Sequence, residues 1–388
     1  MWYNIIVLRR ERITVSSALE KYNIRYGTDL TPERLKTMLK EASSLQGGGG
    51  MVEPCSAVDA DYLGRDVYDL GLSLIEKGEV AVVTMAGGQG TRLGYSGPKG
   101  CYDIGIGMSL FELQARRIAA LSPDIPWYIM TSEENNAATA EFFAQKDNFG
   151  LTNVTLFTQG MLPTLSLEGE PLLAAKDTLA LNPDGNGGVF AALLKKGVLA
   201  DIDRRGVKYV VFCGIDNALA RMCEPLFVGF AAGSGLEGAS KSVLKTDPEE
   251  KAGAFCRRDG KPGIIEYYEL SPEMRYAKAD DGSLLYGDAN IVAHIITADA
   301  LRRICGQGLP LHLATKKVPY FDGEKTVEPD APNACKLESF IFDAFSMLNG
   351  MAIMRVKREE EFAPVKNLAG ADSPETALAM IKNTEKLI

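Results

Sequence analysis

Residues 81–100, with the sequence AVVTMAGGQGTRLGYSGPKG, join an apolar, β-branched segment to a glycine-rich loop and then to two cations, Arg92 and Lys99. Glycine lacks the β-carbon that would keep a phosphate or a base away from the backbone, and it allows the positive φ angles of tight turns. The two cations supply positive charge. We interpret the segment as a strand that ends in a phosphate-binding loop, whose glycines are Gly87, Gly88, Gly90 and Gly94.

The spacing of these glycines excludes two common phosphate-binding fingerprints. The dinucleotide fingerprint needs Gly-x-Gly-x-x-Gly, whereas Gly88, Gly90 and Gly94 are spaced one residue too widely. The Walker A loop places Ser or Thr after its lysine, whereas Lys99 is followed by Gly100. The loop is therefore a phosphate site of another kind, and a glycine-rich turn that binds nothing is the plain structural alternative.

Apolar strands alternate with polar loops and amphipathic helices through the first half of the chain. The segments VAVVTM, PWYIMT, NVTLF and KYVVFCGID are typical of buried strands. This alternation predicts a parallel, doubly wound α/β sheet, in which ligands bind beyond the carboxyl ends of the strands. The glycine loop and Asp216 both follow such strands. From about residue 241, short β-like runs predict an insert or half-open sheet that covers the site.

Helix signals and a glycine run set the predicted domain boundaries. A helix is predicted to follow Thr31 and Pro32, with Leu35, Met38 and Leu39 on one face, and a last helix to begin at Ser373 and Pro374. Residues 47–50 are four consecutive glycines, which indicate a flexible connection. We predict an N-terminal helical arm over residues 1–55, a catalytic domain over 56–345 and a short C-terminal segment over 346–388.

Composition excludes several functional classes. The 388 residues are 46% apolar and 24% charged, as in ordinary globular proteins, and the net charge of −9 argues against nucleic acid or an anionic membrane as a partner. The seven cysteines show no metal-ligand spacing, which indicates reduced thiols in a cytoplasmic protein. Only His294 and His312 are present, so histidine-based triads and multi-histidine metal sites have almost no residues to form from. We expect no membrane span, and we expect a monomer.

Asp216 is the strongest candidate for binding a metal ion. It directly follows the buried strand KYVVFCGI, so its carboxylate is expected at the ligand-binding edge of the sheet. A single carboxylate at this place suits Mg²⁺ held between phosphates and protein. A turn residue or helix cap is the alternative role for the same side chain.

Residues 60–370 resemble the eukaryotic UDP-N-acetylglucosamine pyrophosphorylases. The glycine loop matches the nucleotidyltransferase signature GGxGTRLGxxxPKG, and further matching segments follow in order: PWYIMTS, QGMLP, PDGNGG, CGIDN, IIEYYEL, ANIVAH and EFAPVKN. The resemblance implies a Rossmann-like doubly wound mixed sheet of the nucleotide-diphospho-sugar transferase type. It also implies that UTP and N-acetylglucosamine 1-phosphate give UDP-N-acetylglucosamine and pyrophosphate, with Mg²⁺ or Mn²⁺ as the cofactor.

The resemblance assigns roles to individual residues. It implies that Arg92, Lys99 and Lys366 act on the phosphates, and that the metal lies at Asp216. It implies that the base is bound by Ala86, Gly87, Gly88, Gln159, Gly185 and Asn186. It implies that the sugar is bound by Gly253, Glu266 and Asn290, with Phe340 and Phe342 as walls of the acetyl pocket. A core role is the alternative for the two phenylalanines.

Two rival functions stay open at this point. One is a pyrophosphorylase for N-acetylgalactosamine 1-phosphate or glucose 1-phosphate, because one or two hydrogen bonds decide between such sugars. The other is a catalytically silent protein that binds UDP-sugars. The presence of Arg92, Lys99, Asp216 and Lys366 together disfavours the silent protein.

Overall fold

The computed structural model describes residues 15–45 and 50–383. Packing divides the chain into a smaller unit, made of residues up to 49 together with 160–188 and 308–341, and a larger unit, made of 50–159, 189–307 and the residues from 342 onward. The predicted boundary after residue 55 lies close to the first of these divisions, whereas the two inserted segments of the smaller unit were predicted within the catalytic domain. Of the predicted glycine connection, residues 47–49 lie outside the described residues.

The helices begin and end where the capping residues allow. Helix α2 follows Thr31 and Pro32 as predicted, and α12 begins at Pro374. The helices are α1 (15–26), α2 (Pro32–Leu45), α3 (Arg65–Glu76), α4 (Leu110–Leu121), α5 (Asn136–Gln145), α6 (Val189–Lys195), α7 (Val198–Arg204), α8 (Pro225–Ser234), α9 (Pro272–Tyr276), α10 (Ala298–Ile304), α11 (Arg358–Glu361) and α12 (Pro374–Asn383). None of the helices among the described residues is long and apolar enough to cross a bilayer.

The four strands predicted from apolar runs are all present, as β3, β4, β5 and β11. The strands are β1 (Val52–Pro54), β2 (Val58–Asp59), β3 (Val80–Met85), β4 (Trp127–Thr131), β5 (Val154–Thr158), β6 (Met161–Pro163), β7 (Leu165–Ser166), β8 (Leu173–Ala175), β9 (Thr178–Leu179), β10 (Leu181–Pro183), β11 (Tyr209–Gly214), β12 (Gly238–Leu244), β13 (Ala254–Arg258), β14 (Lys261–Ile265), β15 (Asp288–Thr297), β16 (His312–Lys316), β17 (Tyr320–Phe321), β18 (Thr326–Val327), β19 (Ala334–Glu338) and β20 (Met351–Arg355).

The larger unit is built on one mixed sheet of eleven strands, which confirms the predicted mixed α/β fold. Its main path runs β2-β20-β12-β15-β11-β3-β4-β5, and the β13–β14 hairpin joins it beside β15. Strands β11, β3, β4 and β5 are parallel, whereas β15 is antiparallel to both β11 and β12. The carboxyl ends of β11, β3, β4 and β5 therefore meet at one edge, where ligands bind in sheets of this kind.

The cores of the two units follow the apolar pattern of their elements. In the larger unit every residue of β3 is buried, and Phe111, Trp127 and Phe143 pack edge to face beside it. In the smaller unit Leu35 of α2 packs with buried leucines from the segments 160–188 and 308–341. The predicted helical arm thus belongs to a core that residues far along the chain complete.

The prediction of an insert after residue 241 is wrong for two strands. Strand β12 lies inside the main sheet between β20 and β15, and β15 is a ten-residue strand between β12 and β11. The sequence of β12, GASKSVL, contains two serines and a lysine, so its composition does not indicate a buried strand. Six of its seven residues are nevertheless buried. Tertiary contacts satisfy these polar side chains, as described below for Lys241.

Candidate functional site

Loops from four neighbouring strands meet at the carboxyl edge of the main sheet. Residues 86–100 follow β3, residues 132–135 follow β4, Gln159 follows β5 and residues 215–217 follow β11. Because these four strands are parallel and adjacent, the loops lie side by side. The sheet topology therefore places the predicted glycine loop, glutamine and aspartate at the same edge.

Gly87 lies against the side-chain amide of Gln159. Gln159 is buried, and a β-carbon built at Gly87 would collide with its Oε1 atom, so only glycine allows this approach. The backbone N–H of Ala86 donates to Met130 O at 2.7 Å. Among the described residues, no protein acceptor takes the N–H groups of Gly87 and Gly88. These two donors and the amide of Gln159 suit the polar edge of a base.

Asn135 holds the glycine loop in place, although the sequence analysis did not identify it. Its buried Nδ2 donates to Ala86 O at 3.0 Å and to Gly88 O at 3.3 Å, and its Oδ1 accepts from Ser132 N at 2.9 Å. The available signal was its place just after β4, at the same edge as the glycine loop. Buried amides with bonds on both sides are typical of positioning residues.

Lys99 lies within electrostatic range of the other three predicted phosphate and metal residues. Its side chain is 8% exposed, and its backbone N–H donates to Gly88 O at 3.1 Å, which ties it to the glycine loop. Burial lowers the pKa of Lys99, the positive charges of Arg92 and Lys366 lower it further, and the carboxylate of Asp216 opposes them. Three cations and one carboxylate therefore converge, which is an arrangement suited to a polyanion.

The segment that carries Lys366 is bonded to the loop that carries Asp216. Val365 N donates to Asp216 O at 2.8 Å. The buried side chain of Asn217 donates to Glu361 O at 2.7 Å and accepts from Ala363 N at 2.9 Å. Asn217 is a second positioning residue that the sequence analysis did not single out. It was present in the quoted motif CGIDN, directly after the aspartate.

The side chain of Lys366 is partly exposed and lies near the carboxylate of Asp372. Its Nζ lies 3.7 Å from Asp372 Oδ2, and both side chains are about 40% exposed. Exposed pairs of this kind contribute about 0–1 kcal/mol, so a phosphate group can replace Asp372 at little cost. The geometry leaves Lys366 available to a ligand near Lys99.

Three predicted sugar-binding residues also lie together. Glu266 Oε1 would lie 3.0 Å from a β-carbon at Gly253, and Asn290 N donates to Gly253 O at 2.8 Å. Asn290 Oδ1 accepts from Val292 N at 2.9 Å, and Val292 adopts a φ of +57°, which β-branched residues rarely do. This turn orients the Asn290 amide. Within the described part of the chain, Asn290 Nδ2 has no acceptor, so it can donate to a ligand.

Of the remaining predicted residues, Gly185, Asn186 and Phe340 belong to the smaller unit and Phe342 to the larger. Asn186 Oδ1 accepts from Ile341 N at 2.9 Å. The ring of Phe340 lies 4.7 Å from the ring of His312, and Gly185 packs against the backbone of Ser339. Phe342 is half-buried in the larger unit. The roles of these residues stay predictions.

Asp216 fits a metal ion that arrives with its ligand. Its carboxylate folds back over Gly214, where a β-carbon would lie 2.7 Å from Oδ1. No group of three or more His, Cys, Asp or Glu side chains arranged for a metal occurs in residues 15–45 and 50–383. A single carboxylate matches the usual Mg²⁺ site on a nucleotide, in which phosphates and waters supply the other ligands.

Known proteins similar to this chain carry related names. A family profile described as UTP–glucose-1-phosphate uridylyltransferase matches residues 65–383. The UDP-N-acetylglucosamine pyrophosphorylase of Saccharomyces cerevisiae is 44% identical over 341 residues, which cover 82% of this chain and 71% of the yeast protein. The human UDP-N-acetylhexosamine pyrophosphorylase-like protein 1 is 43% identical over 328 residues, which cover 79% of this chain and 64% of the human protein.

A solved structure has the same fold. The uridine diphosphate N-acetylglucosamine pyrophosphorylase from Trypanosoma brucei, determined in complex with an inhibitor, superposes with a TM-score of 0.80 at 27% identity. The match covers 96% of this chain and 79% of the trypanosomal chain. This chain thus shares its overall fold with a protein described as a pyrophosphorylase.

Proposed function

The chain belongs to the family described as UTP–glucose-1-phosphate uridylyltransferase, and from this premise we propose that it makes UDP-N-acetylglucosamine and pyrophosphate from UTP and N-acetylglucosamine 1-phosphate. The names of the yeast and trypanosomal relatives support this choice of sugar. In the reaction, an oxygen of the sugar phosphate bonds to the α-phosphorus of UTP. The bond between the α-phosphorus and the oxygen that it shares with the β-phosphorus breaks, and pyrophosphate leaves with the electron pair.

One observation carries the proposal, namely that the buried Lys99, bonded through its backbone N–H to the glycine loop, has Arg92, Lys366 and Asp216 as charged neighbours. Burying a cation beside other cations is unfavourable unless an anion joins them. A triphosphate supplies that anion, and the same contacts stabilise the charge that builds up on the departing pyrophosphate. Arg92 offers a planar fork of donors, and the two lysines offer compact charges.

The chemistry needs no general base from the protein. The nucleophile is a phosphate oxygen, which is largely ionised at neutral pH because the second pKa of a phosphate monoester is about 6. Catalysis then consists of aligning the attacking oxygen with the leaving group and neutralising charge. This accounts for a site in which neither histidine of the chain has a proposed role.

We assign the metal to Asp216. When bound, Mg²⁺ would supply further neutralisation of the triphosphate and fix its orientation. A single carboxylate directly after a parallel strand suits an ion that is held partly by substrate phosphates. Asp216 then serves to dock the charged nucleotide beside Lys99.

We assign uracil to the edge formed by Gly87, Gly88 and Gln159, and the sugar to Glu266 and Asn290. The Glu266 carboxylate can accept hydrogen bonds from sugar hydroxyls, and the Asn290 amide can donate to the N-acetyl oxygen. An amide donor facing the acetyl group favours N-acetylhexosamines over glucose. The family description, which names glucose 1-phosphate, makes that sugar the second candidate.

Pyrophosphate release tests the proposal. The purified chain is assayed with Mg²⁺, UTP and, in turn, the 1-phosphates of N-acetylglucosamine, N-acetylgalactosamine, glucose and galactose. We expect the highest kcat/KM with N-acetylglucosamine 1-phosphate and at least about tenfold less with glucose 1-phosphate, since a site that bonds a substrate group discriminates against its absence. Release with glucose 1-phosphate alone would establish the second candidate. If no pyrophosphate is released with any of the four sugar 1-phosphates, the enzymatic function is contradicted and a catalytically silent UDP-sugar binding protein is left as the alternative.

We also propose that the enzyme works as a monomer in the cytoplasm. All seven cysteines are free thiols, which suits a reducing compartment. Size-exclusion chromatography coupled to light scattering would measure the mass directly, and a mass near twice 42.0 kDa would contradict the monomer.

A further inference from the structure

A lysine lies fully buried inside the main sheet, away from the phosphate residues described above. Lys241 is in the middle of β12, and its side chain is 0% exposed. Its Nζ donates to Glu224 Oε2 at 2.6 Å, to Glu361 Oε1 at 2.7 Å and to Arg221 O at 3.2 Å. An ammonium group in a protein core is tolerated only with such partners. The arrangement is therefore specific, since few other positions could satisfy this cation.

The two carboxylates belong to the two segments that carry the phosphate and metal residues. Glu361 ends α11 and lies five positions before Lys366. Glu224 directly precedes α8, in the connection after β11 that contains Asp216. Lys241 therefore bonds at the same time to the segment that carries Asp216 and to the segment that carries Lys366.

Backbone and amide bonds continue from this ion pair toward Lys366. Asn217 bonds the backbone of Glu361 and of Ala363. The Ala218 N–H then donates to Ala363 O at 2.9 Å, and Val365 N donates to Asp216 O. From Glu361 to Val365 the segment is therefore fixed to the Asp216 loop, and the Lys241 pair fixes its first residue.

Burial and charge together favour a single position for the Glu361 carboxylate. Burial raises the pKa of Glu361 to about 7, and the attraction of Lys241 opposes that rise. Glu361 is 4% exposed on its side chain, so it has no aqueous position to adopt while the pair is intact. A hydrogen bond to a buried charge is stronger and more specific in geometry than a neutral one.

We propose that Lys241 is a positioning residue for Lys366, holding Glu361 so that the 361–366 segment presents the Lys366 ammonium to the phosphates beside Lys99 and Asp216. The inference rests on the proposed function, because that function supplies the phosphates that Lys366 contacts. The alternative is a buried ion pair that only stabilises the sheet. In the positioning role, the loss of kcat on breaking the ion pair depends on the presence of Lys366. In the purely structural role, it does not.

The test is a double-mutant cycle between Glu361→Ala and Lys366→Ala. Glu361→Ala removes the anchor but leaves Lys241 paired with Glu224. We expect kcat to fall at least about tenfold, with KM for the sugar 1-phosphate and the affinity for UDP-N-acetylglucosamine changed less than about twofold. In the Lys366→Ala background, the same substitution should change kcat less than about twofold.

Three further variants make the result decisive. Glu361→Gln keeps an acceptor for the Lys241 ammonium and should restore most of the turnover lost in Glu361→Ala. Ser240→Ala, next to Lys241 in β12, removes a buried bond to His294 and should leave kcat unchanged. If Glu361→Ala does not fold, Lys241→Met/Glu224→Gln/Glu361→Leu removes all three charges of the cluster and should show the same loss of kcat and the same dependence on Lys366.

Equal losses of kcat in the wild-type and Lys366→Ala backgrounds, or wild-type turnover in folded Glu361→Ala, would overturn the positioning role and leave a structural ion pair. Wild-type turnover in the Lys366→Ala single variant would instead contradict the phosphate role of Lys366 in the proposed function, and the inference would fall with it. The single variant therefore separates the two failures.

Discussion

The carboxylate of Glu266 lies directly over the α-carbon of Gly253. A β-carbon at Gly253 would lie 3.0 Å from Glu266 Oε1 and 2.7 Å from Ile264 Cγ2. A side chain at this position would collide with Ile264 and crowd the Glu266 carboxylate. Because Gly253 has no side chain, the Glu266 carboxylate can lie next to the place at which we expect the sugar hydroxyls.

Gly253→Ala should weaken sugar binding. Losing a hydrogen bond to a charged group costs about 1.5–3 kcal/mol, so we expect KM for N-acetylglucosamine 1-phosphate to rise at least about tenfold while KM for UTP stays unchanged. Gly263→Ala in the same hairpin is the matched control, because its β-carbon would meet only Cys256 Sγ at 3.9 Å. Equal KM values for the sugar 1-phosphate in the two variants would show that Glu266 does not contact the sugar.

Lys99→Ala and Lys366→Ala should lose turnover while retaining product binding. Both cations are proposed to stabilise charge that is greatest on the departing pyrophosphate, and removal of one such contact typically costs about 10²–10³ in kcat. Steady-state kinetics and calorimetric titration with UDP-N-acetylglucosamine measure the two effects. Lys382→Ala, an exposed lysine of α12, serves as the control. Undiminished turnover in either variant would remove that lysine from the phosphate site.

Asn135→Asp should disturb the glycine loop without changing side-chain size. The substitution replaces the donor that faces Ala86 O and Gly88 O with a second acceptor, so the two carbonyls would repel it. We expect KM for UTP to rise about tenfold or more. Asn136→Asp is the matched control, because Asn136 Oδ1 only accepts from Thr131 Oγ1 and a carboxylate keeps that bond. A UTP KM within about twofold of wild type in Asn135→Asp would contradict the positioning role.

The stability of the protein should fall in acid because of His294. Burial lowers the pKa of His294 to about 3 from 6.5, so the unfolded chain binds a proton below pH 6.5 that the folded chain does not bind. The stabilisation is present above pH 6.5 and is lost as the pH falls toward 3, at a rate of about 1.4 kcal/mol per pH unit.

The matching variant is His294→Phe, which keeps an aromatic ring beside Phe345 but cannot titrate. In urea unfolding, the wild type should lose about 2 kcal/mol more stability between pH 7 and pH 5 than the variant does. Because the comparison uses the change with pH, the bond lost from His294 to Ser240 cancels. Equal changes in the two proteins would show that His294 does not couple folding to pH.

Much of the fold and part of the site were predictable because their signals are local. Strands β3, β4, β5 and β11 are continuous apolar runs, and α2 and α12 begin at prolines in helix-start positions. The parallel order of these strands places the glycine loop and Asp216 at one edge, as the alternation predicted. The proximity of Gly253, Glu266 and Asn290 came only from a resemblance to a family, since no local pattern connects them.

The sequence by itself determined where the apolar strands and the glycine loop occur, because backbone conformation and burial follow from nearby residue types. Only the tertiary structure decided the positions of β12 and β15, the roles of Asn135 and Asn217, and the partners of Lys241. Lys241 lies 17 residues from Glu224 and 120 from Glu361, and a lysine can be buried only where such distant carboxylates meet it. A buried charge depends on partners that no local pattern reveals, so the polar strand β12 could be recognised as a central strand only in the folded protein.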